Sequence, residues 1–161
     1  MKKKISLMLS LILMLSLFMP TVYAADNNKL NKVIKEVEKA NWMIEKEITK
    51  SVEKADREMD KYDREIEKLE NKKANENDQE ELNKIDNKIV ELKDKRNSKI
   101  NDIINELIIV TNRIALKTVE KGAKEGVTIQ CELIEVEIGG TTVMIDPLIV
   151  LDFDYVESDE E

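Results

Sequence analysis

The strongest constraint on this chain is a pair of apolar seams that mirror each other between Leu30 and Lys121. The first seam runs Ile34, Val37, Asn41, Ile44, Ile48, Val52, Ala55, Met59, Tyr62, Ile66, Leu69. The second runs Leu82, Ile85, Ile89, Leu92, Arg96, Ile100, Ile103, Leu107, Val110, Ile114. Both follow the three-four spacing of a coiled coil. If the chain folds back on itself, seam partners must have residue numbers with a constant sum. Leu69 with Leu82, Ile66 with Ile85, Tyr62 with Ile89, Ile48 with Ile103 and Ile44 with Leu107 all add to 151. Each seam also contains one stutter, two consecutive spacings of four, at Ile44-Ile48-Val52 and at Leu92-Arg96-Ile100. The two stutters lie close together in that register. The spacing predicts one antiparallel helical hairpin.

The hairpin's arms are expected over about 28–73 and 79–121, within a unit spanning 25–125. Asn27 or Asn28 can cap the first helix, and Asn75 can close it in the left-handed conformation. Asp78 with Glu81 three residues later forms a capping-box pattern for the second. Gly122 and Gly126 mark its end and a linker. Beyond the seam the two halves differ. The distal half is flanked by charge, with Val90 the sole aliphatic exception on the second arm between Gln79 and Lys99. The proximal half carries a second stripe of Ile104, Ile108, Ala115 and Val119, joined by Ile109 and Leu116, with Val33, Trp42 and Met43 on the first arm. A stripe this wide must bury against something beyond the partner helix. Trp42 is read as part of that proximal core.

From Gly126 onward the period and the residue types change together. Val127, Ile129, Cys131 and Leu133 alternate, and the phase then slips to Ile134, Val136, Ile138, which suggests a bulge. Gly139-Gly140 reads as a two-residue hairpin turn, setting Ile138 against Thr141, Val136 against Val143 and Ile134 against Ile145. After Pro147, Leu148 to Val156 either prolongs the returning strand or forms a third. The fold class is therefore mainly α with a small β module. A long helical hairpin is followed by a C-terminal β-hairpin or three-stranded antiparallel sheet over 126–156, packed on the hairpin's base. A two-stranded hairpin alone is marginal in water, so each part supplies what the other lacks.

Residues 1–24 read as a cleaved signal peptide. Lys2, Lys3 and Lys4 precede an apolar run from Ile5 to Met19, and Val22-Tyr23-Ala24 offers small residues to a signal peptidase. The run is shorter than the roughly 20 residues a membrane span needs. The expected location is secreted or envelope-associated, with no stable membrane span after cleavage. Removing the three signal lysines leaves 23 basic against 34 acidic residues, a net charge of −11. That balance argues against a nucleic-acid partner, which needs a basic surface. Acidity is concentrated at the C-terminus. From Gly126 to Glu161 there are ten carboxylates and no Lys or Arg, including an acidic tail at 157–161. Glu135, Glu137, Asp152 and Asp154 recur at alternate positions along strands. They are the candidate partner-binding residues, suited to a protein partner or another cationic surface.

Catalytic chemistry finds little purchase. The chain has no histidine, hence no imidazole base and no Ser-His or Cys-His pair. Cys131 is the only cysteine and is read as a small buried residue on a strand face. Carboxylates on the helices alternate with lysine at salt-bridge spacing, the pattern of a solvated face. No catalytic, cofactor or metal site is assigned, and no loop carries the spaced carboxylates and glycine of a calcium loop. Asn41 and Arg96 break the apolar rule of the seam and are read as devices that penalise other registers and oligomers. The leading functional class is an exported, non-enzymatic interaction or structural module, with oligomerisation left open. Its alternatives are a membrane-active or pore-forming hairpin and, further off, a carboxylate-dependent hydrolase. Ile100 to Leu116, the best membrane segment, is interrupted by Asp102, Glu106 and Arg113, which makes insertion costly.

Overall fold

The computed structural model describes residues 27–153, so the signal segment, Asp154, Tyr155, Val156 and the acidic tail lie outside the described residues. Helix α1 spans Asn27–Ala74 and α2 spans Gln79–Lys124, packed antiparallel along their length. Four short strands follow: β1 Val127–Cys131, β2 Ile134–Ile138, β3 Thr141–Ile145 and β4 Leu148–Phe153. A long helical hairpin carrying a small antiparallel β module on its base is thus the architecture.

The turn between the helices is closed by side chains. Asp78 Oδ1 accepts hydrogen bonds from the backbone N–H groups of Glu80 and Glu81 at 2.8 and 3.0 Å. The reciprocal half of the expected capping box comes from a different residue. The Asp78 N–H donates to Glu76, not to Glu81. Asn75 donates its side-chain amide to the Asn71 carbonyl, satisfying one of the acceptors left at the end of α1.

Gly122 does not end α2, which continues through it to Lys124. Its role is steric. A Cβ there would lie 2.4 Å from Ile129 Cδ1 and 3.0 Å from the Val127 carbonyl oxygen, so only glycine lets β1 sit this close. The stop falls at Gly126, whose φ of 73° is the left-handed conformation that closes a helix.

The four strands are one ribbon. Partners in β2 and β3 have residue numbers that add to 279, from Ile138↔Thr141 to Ile134↔Ile145. The same sum continues in β1 and β4 through Cys131↔Leu148, Gln130↔Ile149 and Ile129↔Val150. Between the two segments the Glu132 N–H donates to the Pro147 carbonyl at 2.8 Å, bridging the gap. Leu148–Phe153 therefore prolongs the returning arm, and no third strand is added among the described residues. The phase slip at Ile134 is not a bulge, because both arms make it together. The register shift lies elsewhere, between Thr128 and Ile129. At the base β1 packs chiefly on α2 and β4 on α1, whereas farther out β2 lies on α1 and β3 on α2. A half turn of the ribbon about its own axis exchanges its strands and turns its other face inward. That motion accounts for the crossing and the slip at once, in keeping with the strong twist of two-stranded ribbons.

Three apolar clusters result. At the base, Val33, Val37, Ala40 and Ala115 pack with Val127, Ile129 and Leu148. In the middle, Ile44, Ile48, Ala55, Ile100, Ile103, Ile104 and Leu107 pack with Val136, Ile138, Val143 and Ile145. Toward the tip, Ile66, Ile85, Ile89 and Leu92 form a coil seam with Tyr62 and Leu69 at its margin.

The ribbon covers only one side of the proximal hairpin, and this corrects the expected stripe. Ile104 and Ala115 are buried, Ile108 and Val119 are half-buried, and Ile109 and Leu116 point to solvent at 57% and 64% exposure. The buried row instead runs Ile104, Thr111, Ala115, Thr118, Gly122. Thr111 and Thr118 satisfy their hydroxyls on the Leu107 and Ile114 carbonyls one turn back. Trp42 is also outside the core, 59% exposed, with the Lys46 ammonium 5.2 Å from its ring centroid.

Candidate functional surface

The ribbon's inward residues lie against the helices, so alternation dictates what faces out. On β2 those are Glu135 and Glu137, paired across the ladder with Met144 and Thr142 of β3, and all four are exposed. The strand under them is held in place, because the alternating Val136 and Ile138 are buried against the helical core. The two carboxylates sit two residues apart on one strand face, roughly 6.5 Å by strand geometry.

Asp152, a third sequence-derived candidate, does not join them. Asp152 lies on β4 with its backbone paired to Thr128 near the hairpin's base. It is eight residues along the strand arm from Met144, roughly 25 Å away at 3.3 Å per residue, and the half turn of the ribbon intervenes. Asp154 lies outside the described residues. Of the four candidates, the described residues bring Glu135 and Glu137 together on one strand face.

Cys131 is exposed at the end of β1, not buried as its alternation suggested. Partial burial and the nearby Asp146 carboxylate hold its thiol above the usual cysteine range, which disfavours the nucleophilic thiolate. Two shallow concavities lie at the base. One, about 280 Å3, is lined by Val119, Ala123, Gly126, Val127, Thr128 and Ile129, without a titratable side chain. The other, about 130 Å3, lies beside the Lys32–Glu125 and Lys121–Glu36 ion pairs, with N–O distances of 3.0 and 2.7 Å. Among the described residues no grouping of three or more His, Cys, Asp or Glu side chains could hold a metal ion. No helix among them is long and apolar enough to cross a membrane.

Sequence reasoning missed the outward Met144 and the outward Trp42. Met144 was legible, since the Gly139-Gly140 register sets it opposite Glu135. Trp42 precedes Lys46 by four residues, which is the spacing of an exposed helix face. Comparison with family models, with curated proteins and with solved structures finds no match to this chain.

Proposed function

We propose that this protein is an exported, non-enzymatic interaction module whose acidic ribbon engages a cationic protein surface while the helical hairpin serves as stalk or clamp. The observation that carries the reading is the outward row of Glu135 and Glu137, braced from behind by buried Val136 and Ile138. The ribbon and everything after it contain ten carboxylates and no basic residue. A braced backbone need not be ordered on meeting a partner, and such charge favours orientation and encounter rate more than raw affinity. Export rests on the Lys2–Lys4 cluster, the short apolar run and Val22-Tyr23-Ala24.

The test is photo-crosslinking in producing cells from a reactive residue at Thr142, next to the acidic row. A discrete protein adduct is expected. It should disappear with Glu135→Lys and Glu137→Lys together and persist with a control change at Val90. An adduct indifferent to charge reversal would overturn the ribbon as the binding surface. N-terminal sequencing of the exported protein should begin at Ala25, and an intact Met1 would overturn the cleavage.

A further inference from the structure

Three features meet at one level of the hairpin, about a third of the way down from its tip. First, the apolar core narrows there, with Ala55 of α1 buried opposite Arg96 and nothing buried on α2. Along α2 the buried residues run Ile85, Ile89, Leu92 and resume only at Ile100, eight residues or roughly 12 Å later. The intervening seam position is Arg96. Second, polar groups stand at this level where apolar ones would close the seam. Arg96 Nη1 pairs with Asp63 Oδ1 at 2.6 Å, and both side chains keep access to water, at 26% and 51% exposure. Five residues before Asp63, Glu58 Oε2 is buried without a hydrogen-bond partner among the described residues, though its side chain is 29% exposed and Lys61 Nζ lies 3.8 Å away. Third, the β ribbon stops just short of this level. Its turn is seated on Ile100, which a Cβ at Gly139 would approach to 2.9 Å. Below the turn the helices are backed by the ribbon. Above it they have only each other.

The geometry points to a hinge at the Arg96 level, about which the distal arm from Tyr62 to Leu92 opens and closes as one unit while the ribbon-backed base stays folded. Opening there breaks only the distal cluster of Ile66, Ile85, Ile89 and Leu92 with its margins, plus an ion pair that water can replace. Opening the base would expose the middle and lower clusters and strip the ribbon from the helices. Contiguous units of unequal resistance are how proteins open locally. The polar seam residue sets the division, because a leucine there would join the distal and middle cores into one.

Amide exchange across a urea series tests this on the full mature chain. The amides of Ile66, Leu69, Ile85 and Ile89 should share one opening reaction, with protection at least tenfold below that of Leu107, Val136 and Ile145. Arg96→Leu should raise distal protection tenfold or more and draw the two groups toward a common opening. Arg96→Lys, which keeps a charge in the seam, should preserve the separate distal opening. A single opening shared by base and tip in the parent would overturn the hinge. So would an Arg96→Leu variant whose distal amides are no better protected than the parent's.

Discussion

The side-chain amide of Asn41 grips the backbone of Leu148 from both sides. Its Nδ2 donates to the Leu148 carbonyl and its Oδ1 accepts from the Leu148 N–H, both at 2.8 Å. A residue placed in the seam of α1 thereby acts as a one-residue strand, completing the hydrogen bonding where β4 begins. Asn41→Ala should leave a part-buried donor and acceptor without partners, costing about 2–4 kcal/mol. Asn41→Asp keeps the acceptor but sets a carboxylate against the Leu148 carbonyl, and should be at least as damaging at neutral pH. Urea unfolding with exchange at the Leu148 amide checks both. An Asn41→Ala variant within 0.5 kcal/mol of the parent, roughly the scale of a neutral surface change, would show that the grip contributes nothing.

Gly122→Ala poses two opposed effects. Helix propensity favours alanine by about 1 kcal/mol. The new Cβ would overlap Ile129 and press on the Val127 carbonyl oxygen, and overpacking of that kind typically costs about 1–3 kcal/mol. The Ile129 side chain can give way, but the backbone oxygen cannot without moving β1. The expected sign is net destabilisation, partly relieved when Ile129→Val is added. Thermal unfolding of the single and double variants decides it.

Ile108→Asp should loosen the ribbon while leaving the distal coil helical. Ile108 is half-buried against the middle cluster that joins helices to ribbon. Val90, at 58% exposure, serves as the contrast, and Val90→Asp should stay within about 0.5 kcal/mol of the parent. Amide exchange at Val136 and Val143 is the readout. Unchanged protection in Ile108→Asp would mean that the ribbon holds without that contact.

Stability should decline on the acid side. Glu36, Glu91 and Glu106 have pKa values below their ordinary 4.5 because Lys121, Lys95 and Lys54 donate hydrogen bonds to them. Glu76 is lowered by the backbone N–H groups of Asp78 and Asn77. A group whose folded pKa is depressed contributes stability that is present above 4.5 and lost as the pH falls through the folded value. Lys84 and Lys95 are raised above 10.5 by Glu80 and Glu91, so their contribution is present below 10.5 and lost above it. All of these groups reach solvent and are screened by it, so the slopes should be shallow. Urea midpoints from pH 6 to pH 3 should fall, and Glu76→Gln should remove part of that slope.

What could be read from the sequence was whatever depends on period alone. The constant sum across the seams predicted the hairpin, and the second constant sum across Gly139-Gly140 carried through to β1 and β4. What could not be read was direction. Whether Ile104 or Ile109 is covered depends on which side of the seam the ribbon docks, and both are equally apolar. Thr111, Thr118 and Gly122 line the covered side without looking hydrophobic, because hydroxyls bonded back to their own helix pack as small groups. The half turn of the ribbon mimicked a bulge because either one shifts the inward parity by one residue. For the acidic candidates, alternation correctly turned Glu135 and Glu137 outward, but one-dimensional spacing could not reveal that Asp152 lies at the ribbon's other end.

The grip of Asn41 on Leu148 joins residues 107 positions apart. Both hairpins, by contrast, close through neighbours along the chain, and local closures are fast. A chain emerging from its N-terminus can therefore zip the helices and then pair the ribbon. It cannot finish its base until the last strand has been made and has swung back onto the first helix. The order of events is written into the topology: the coil forms early, and the latch closes last. Until then Val33, Val37 and Ala115 wait without their β partners, and an unfinished chain leaves the apolar face of its base uncovered.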